Sequence, residues 1–299
     1  VIKQLFFLVV PEMNNQFDDI LKRYEAARSA GSSIYLEPDD LTDIAEYYHL
    51  HGRLTDAIEA IDLAINMFPG ATQPLTFKAR VAILVNRNAA EAMQWAEKID
   101  DKTDLDYYYI VAEIMVADQR IDEANQYLKA KENDVCDDDL EDYYLDVATL
   151  FADYSCTDIT EEWLKKSSLT TDPQYRELQG RVALGKGQFD LCEQIFDKLI
   201  DDNPYNPDYW NTMALAQFQQ GDTTACIESC DYALAIDPVN ADAHIHKANS
   251  LAIIGNYPEA IKFYKKLQAL QPYSESPDMG IASILAAQNH PQEALAHLK

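Results

Sequence analysis

The sequence predicts an all-α protein, a right-handed α-solenoid of about eight helix hairpins with an N-terminal helical cap. Three observations predict it. Pro204, Pro238 and Pro272 recur every 34 residues; Gly187, Gly221 and Gly255 keep that step, as do Cys192, Cys226, Ala260 and Ala294, and in parallel Gly180, Ala214, Ala248 and Ala282. Within one period the apolar residues fall at helical spacing, first Trp210, Met213 and Ala214, then Ile227, Cys230, Ala233 and Leu234. The 299 residues include only 9 glycines, too few for the tight hairpins of an all-β fold or the phosphate loops of a Rossmann-type enzyme.

The elements follow in order. Residues 13–30 place Phe17, Ile20, Leu21, Tyr24 and Ala27 on one face, so residues 1–37 read as an N-terminal segment and a capping helix. A terminal repeat leaves a core face open and needs such a cover. The solenoid runs over 38–299, in units near 38–72, 73–104, 105–138, 139–172, 173–206, 207–240, 241–274 and 275–299. Pro38, Ala45, Gly52, Ala57 and Pro69 mark the first unit. The register then drifts by about one or two residues through Arg80 and Ala92, Ala112 and Ala124, and Ala148. In the unit that opens at Pro207, Gly221 ends the first helix because glycine tolerates positive φ. Pro238 stops the second, since proline cannot continue the hydrogen-bond ladder, and Asn240 caps the helix after it.

A 34-residue helix–turn–helix carrying Trp210, Ala214, Gly221, Cys226, Ala233 and Pro238 in that order resembles the tetratricopeptide repeat. So does the next unit, with Ala248, Gly255, Tyr257, Ala260, Tyr264 and Pro272. The unit near Asp139 departs most: Asp158 or Ile159 stands where the family has a small residue, and no glycine marks the turn.

Charge narrows the function. There are 51 acidic against 24 basic residues, a formal net charge of −27. That excess opposes nucleic-acid phosphates and anionic membrane surfaces. No apolar run reaches the roughly 18–20 residues a membrane helix needs, so no membrane insertion is expected. The run Val1–Val10 stops at Pro11 and lacks the basic flank of a signal peptide. Five cysteines without a paired framework fit reduced thiols in the cytoplasm. The chain starts at Val1 rather than Met and stops at Lys299 inside the second helix of its last unit, which leaves room for a longer natural chain.

No catalytic constellation emerges, and no cofactor, metal or nucleotide is expected. Cys226 and Cys230 lie four apart but have no companion ligands at zinc spacing, so they read as packing thiols. His49 with His51, and His244 with His246, are two apart on helices; their rings diverge, and they read as solvent or groove histidines. Asp137-Asp138-Asp139 and Asp201-Asp202 lack the pattern of a calcium loop. Asp39, Asp40, Asp138, Asp139, Glu141 and Asp208 read as residues of helix starts, where carboxylates meet free N–H groups.

The resemblance implies that first helices line a concave groove. At its outward offsets stand Asp39, Asp43, Glu46, Lys78, Asp106, Glu113, Asp142, Asp146, Asp153, Glu177, Arg181, Asp208 and Asp242, 11 acids against 2 bases. Phe77, Tyr109, Phe218 and Asn249 are expected among them. Family members that clasp the acidic tails of heat-shock chaperones use basic and amide side chains at groove offsets that here hold Glu177, Arg181, Thr212, Asp242 and His246. Carboxylate capture is therefore not expected. The reading is a non-catalytic scaffold that holds a peptide or helix, with Lys or Arg flanking apolar anchors. The competing readings are a solvated acidic face with no ligand, a structural subunit self-associating through its convex face or terminal repeat, and an α/α-barrel enzyme. Helices of only about 12–15 residues, with no barrel closure encoded, weigh against the last.

Overall fold

The computed structural model describes residues 15–270 and 274–298. The run Val1–Val10, the expected helix start at Met13, the marker Pro272 and the terminal Lys299 lie outside them. No strand occurs among the described residues. The chain forms two compact units, residues 1–159 and 160–299.

In the first unit α1 (Asn15–Ala30) precedes the pairs α2 (Pro38–Leu50) and α3 (Leu54–Met67), α4 (Thr72–Leu84) and α5 (Ala89–Ala96), and α6 (Leu105–Ala117) and α7 (Ile121–Lys131). A 3-10 turn, Glu132–Asp134, leads to α8 (Leu140–Asp153), and α9 (Thr157–Leu164) runs across the unit boundary. Each pair is a packed hairpin, and α2, α4, α6 and α8 also stack on one another. Leu41, Ile44, Tyr48, Ala57, Ile61, Ala64 and Phe77 are buried together at the start of the stack. On this core sits α1: Phe17 meets Tyr47 and Tyr24 meets Tyr48, with ring centroids 5.6 and 6.3 Å apart. At its exposed edge Arg28 donates to Asp56 at 2.7 Å and to Glu59 at 2.5 Å.

The second unit holds the hairpins α10 (Pro173–Gly185) with α11 (Phe189–Asp202), α12 (Pro207–Gln220) with α13 (Thr223–Ile236), α14 (Ala241–Ile253) with α15 (Tyr257–Leu270), and α16 (Ser276–Ala287) with α17 (Pro291–His297). Pro173, Pro207 and Pro291 occupy first turns, where a missing N–H costs nothing. Asn206, Asp222 and Asn240 cap their helices by accepting from the backbone N–H groups of Asp208, Ala225 and Ala243 at 3.0, 3.0 and 2.9 Å. Asp208, Asp39 and Asp40 lie in first turns, as their sequence positions suggest.

One turn device recurs. Gly52, Arg87, Gln119, Ser155, Gly187, Gly221, Gly255 and Asn289 all have positive φ, from 51° at Arg87 to 92° at Gly221. Five positions after each stands a buried, compact residue: Ala57, Ala92, Ala124, Thr160, Cys192, Cys226, Ala260 and Ala294. Thr160 therefore fills the place expected at Asp158 or Ile159. Ser155 takes the left-handed turn in glycine's stead, and the register slips accordingly. Seven positions before each turn residue stand Ala45, Arg80, Ala112, Ala148, Gly180, Ala214, Ala248 and Ala282. At Gly180 the approach is so close that a Cβ would lie 2.5 Å from the Phe196 ring. Arg80 is the one large residue of this series.

Candidate partner-binding face

The first helices of the first unit carry polar side chains at one-face spacing: Asp39, Asp43 and Glu46 on α2, Gln73 and Arg80 on α4, Asp106, Tyr109 and Glu113 on α6, Asp142 and Asp146 on α8. Because these helices stack directly, the polar groups are linked from one helix to the next. Gln73 Nε2 donates to Asp106 Oδ2 at 2.6 Å, and Arg80 Nε to Glu113 Oε2 at 3.0 Å. Tyr109 donates its hydroxyl proton to Asp146 Oδ2 at 3.2 Å, and Tyr154 to Glu113 Oε1 at 3.4 Å.

The face differs from its expected form in five places. Glu46, Phe77, Tyr109 and Glu113 are buried, not presented to solvent. Neighbouring first helices close over their offsets, a crowding that the projection of one helix does not show. Phe77 belongs to the core beneath α2 and α3. Tyr109 stacks on Tyr143 with centroids 5.9 Å apart. Lys78 also departs: it lies beside Asp62 of α3, at 2.7 Å, and near the Trp95 ring, so it turns away from the carboxylates. Asp142 is exposed, while Asp43, Asp106 and Asp146 are half-buried.

Arg80 organises this face, although in the sequence it reads only as a register marker. Its signal is an arginine in a series otherwise made of alanine and glycine. Arg80 and Glu113 are buried together, with side chains 5% and 6% exposed. Glu46 is 3% exposed, and its Oε1 is buried with no hydrogen-bond partner. Burial, reinforced by the charge of Asp43, pushes the Glu46 carboxyl up to about 8; Arg80 opposes this and Asp106 adds to it. Burial likewise raises Asp43, beside Asp40 and Asp39, and Asp106, beside Asp104.

In the second unit Arg181, Phe218 and Asn249 are half-buried and stand on α10, α12 and α14. The ring of Phe218 lies 6.2 Å from His246, and Asn249 Oδ1 accepts from the Tyr264 hydroxyl at 2.6 Å. Glu177 is half-buried, and Asp208 and Asp242 are exposed. One histidine expectation is corrected: His244 is buried and bonded through Nε2 to Pro238 O at 3.1 Å, whereas His246 is half-buried with its Nδ1 enclosed. Burial lowers both imidazoles. Cys226 and Cys230 are fully buried, Cys226 accepting from Ser250 Oγ at 3.2 Å. Among the described residues no three His, Cys, Asp or Glu side chains are grouped to hold a metal ion, and no helix is long and apolar enough to cross a membrane.

Comparison with known proteins agrees with this architecture. The family model for the tetratricopeptide repeat matches residues 177–241 and 213–275. A tetratricopeptide repeat protein from Parabacteroides merdae has the same fold, with a TM-score of 0.58 at 13% identity over 83% of this chain and 98% of that one. More partial likenesses include MamA AMB-1, at 20% identity over 54% of this chain and 90% of that one with a TM-score of 0.43. Another is the first repeat domain of Spaghetti (RPAP3) bound to an HSP90 peptide, at 20% identity over 40% and 95% with a TM-score of 0.38. The left-handed turns and the compact residues set at fixed distances from them give the chain the tetratricopeptide-repeat architecture, and residues 177–275 match that family's model in sequence.

Proposed function

We propose that this chain is a non-catalytic interaction scaffold whose first-helix face receives a peptide or helix bearing Lys or Arg. One observation carries the reading: in the first unit Asp43, Asp106, Asp142 and Asp146 share that face, and its buried base, Arg80, is paired with Glu113. Such a face attracts cations at long range and repels an acidic tail. In the second unit Arg181, Phe218 and Asn249 offer a further patch of mixed character. Five free cysteines suit a reducing compartment, and the cytoplasm is the proposed location.

The test is a pull-down from native lysate with mass spectrometry, followed by binding of the recovered partner at increasing salt. A Lys- or Arg-bearing partner should lose affinity as the Debye length falls from about 10 Å toward 3 Å. Charge reversal at Asp142 and Asp146 should slow association more than it speeds dissociation. An acidic partner, or indifference to both changes, would overturn the reading.

A second reading, self-association, rests on its own observation. The second helix α15 carries Lys262, Lys265 and Lys266 around Pro258 and Ile261 in a shallow cleft, a basic surface on a strongly acidic chain. Molar mass that rises with protein concentration and falls back with salt would favour it; a constant monomer mass would remove it.

A further inference from the structure

The second helices α13 and α15 turn matched positions to solvent. Glu228, Asp231 and Tyr232 are exposed on α13, and Lys262, Lys265 and Lys266, each 34 residues later, are exposed on α15. One repeat separates the two sets, so their side chains leave the hairpins on the same side. The helices are also neighbours: Ile227 and Leu234 of α13 pack on the core that holds Phe263 of α15. Acids on one helix and lysines on the next thus make one exposed face with a division of charge down its middle.

Within the chain these charges do not meet across that division. Lys262 bonds to Glu259 of its own helix at 2.9 Å, Asp231 is reached by Lys247 of α14, and Glu228 and Lys265 have no ion pair among the described residues. A face divided in this way complements itself. A two-fold axis parallel to the helices lays α13 of one copy on α15 of the other, and the same contact recurs on the far side of the axis. Equal spacing along the two helices then sets Glu228 against the partner's Lys262 and Asp231 against the partner's Lys265. A two-fold across the helices would put acids on acids. Tyr232 supplies an aromatic anchor: its ring is 57% exposed and held flat on Trp210, with centroids 4.4 Å apart. Across the axis it faces the partner's Lys266, and an ammonium suits the ring.

We propose that the chain associates with a second copy of itself through α13 and α15, as a two-fold dimer in which each acidic helix lies on the lysine-bearing helix of the other copy. This deepens the self-association reading and rests on it. Exposed ion pairs fix orientation more than they add affinity. A patch two helices wide is small, so the dimer is weak and reversible.

Sedimentation equilibrium of the full chain tests this. The mass should rise with concentration and level off at twice that of one chain. Glu228→Lys and Lys262→Glu each place like charges together at both contacts. Each should raise the dissociation constant at least about tenfold, with circular dichroism unchanged, although they move the net charge in opposite directions. An equimolar mixture of the two variants joins one native contact to one exchanged contact and should regain most of the wild-type association. If the mass rises but either substitution leaves it untouched, or the mixture stays monomeric, the contact between α13 and α15 is overturned and self-association stands through another surface. Growth beyond the dimer would overturn the two-fold. A constant monomer mass up to about 1 mM would remove both this dimer and the self-association reading.

Discussion

Arg80 on α4 and Glu113 on α6 form a buried ion pair, Nε to Oε2 at 3.0 Å, between consecutive first helices. The arginine stands where the other hairpins have alanine or glycine, and the glutamate of the next helix meets it. Removing one partner strands the other in a low-dielectric setting, and here Arg80 also faces Glu46. Arg80→Ala should destabilise the first unit by about 3–5 kcal/mol in urea titration. The double change Arg80→Met with Glu113→Leu should cost far less, because neither charge is then left alone. Equal costs for the two would mean that packing at this point, not charge, sets the stability.

The Glu46 carboxyl makes stability depend on pH in a direction opposite to that of a salt-bridged acid. In the unfolded chain it titrates near 4.5, in the folded chain near 8. Between these values the folded state holds the extra proton, so this group's contribution falls as pH rises through that window. Glu46→Gln removes the dependence. The difference in urea midpoint, variant minus wild type, should be near zero below pH 4.5 and grow in the variant's favour up to about pH 8. A difference that stays flat with pH would show that Glu46 is solvated.

The residues with positive φ at the hairpin turns divide into four glycines, Gly52, Gly187, Gly221 and Gly255, and four others, Arg87, Gln119, Ser155 and Asn289. A side chain at such a φ costs roughly 1–2 kcal/mol, partly offset because glycine loses more entropy on folding. Arg87→Gly, Gln119→Gly and Ser155→Gly should each raise stability by about 0.5–1 kcal/mol in thermal melts. Asn289→Gly should gain least, since asparagine tolerates this region. Gly221→Ala should lower stability by a similar amount.

Cys226 is fully buried between α12, α13 and α14, against Ala214, Cys230, Ala233 and Ala243. Cys226→Trp should destabilise by roughly 1–3 kcal/mol or more, whereas Cys226→Ala should cost less; an unchanged melting temperature for the tryptophan variant would contradict the packing described. Thiol labelling offers a parallel check: Cys136 is exposed and should react in the native chain, and Cys192, Cys226 and Cys230 only on unfolding. Burial also pushes the Cys192 thiol up to about 12.

The fold class was legible because the same few residues do the same mechanical task in each hairpin. Gly187, Gly221 and Gly255 turn the chain, and Cys192, Cys226 and Ala260 admit the neighbouring helix. Legibility failed at Ser155 and Thr160, where a residue that is not glycine accepts the turn and one that is not alanine fills the contact. The candidate face was less legible still. Asp142 is exposed as its offset implies, but whether Glu46, Phe77, Tyr109 and Glu113 meet water depends on how closely the next first helix approaches. No single-helix pattern encodes that distance. Arg80 stands out in the sequence as the one large residue of its register series, but its buried pairing with Glu113 depends on the stacking of α4 on α6.

The polar links Gln73–Asp106, Arg80–Glu113, Tyr109–Asp146 and Tyr154–Glu113 also bear on how the first unit comes apart. A repeat array is close to a one-dimensional lattice, in which each hairpin has an intrinsic stability and a coupling to its neighbours. Bonds that span successive first helices enter the coupling alone. Where they are dense, from α4 to α8, the lattice has long correlation: the hairpins open together or not at all. Amide exchange should therefore find α4, α6 and α8 sharing one opening free energy, with α1, tied on by aromatic contacts and an exposed arginine, released well before them.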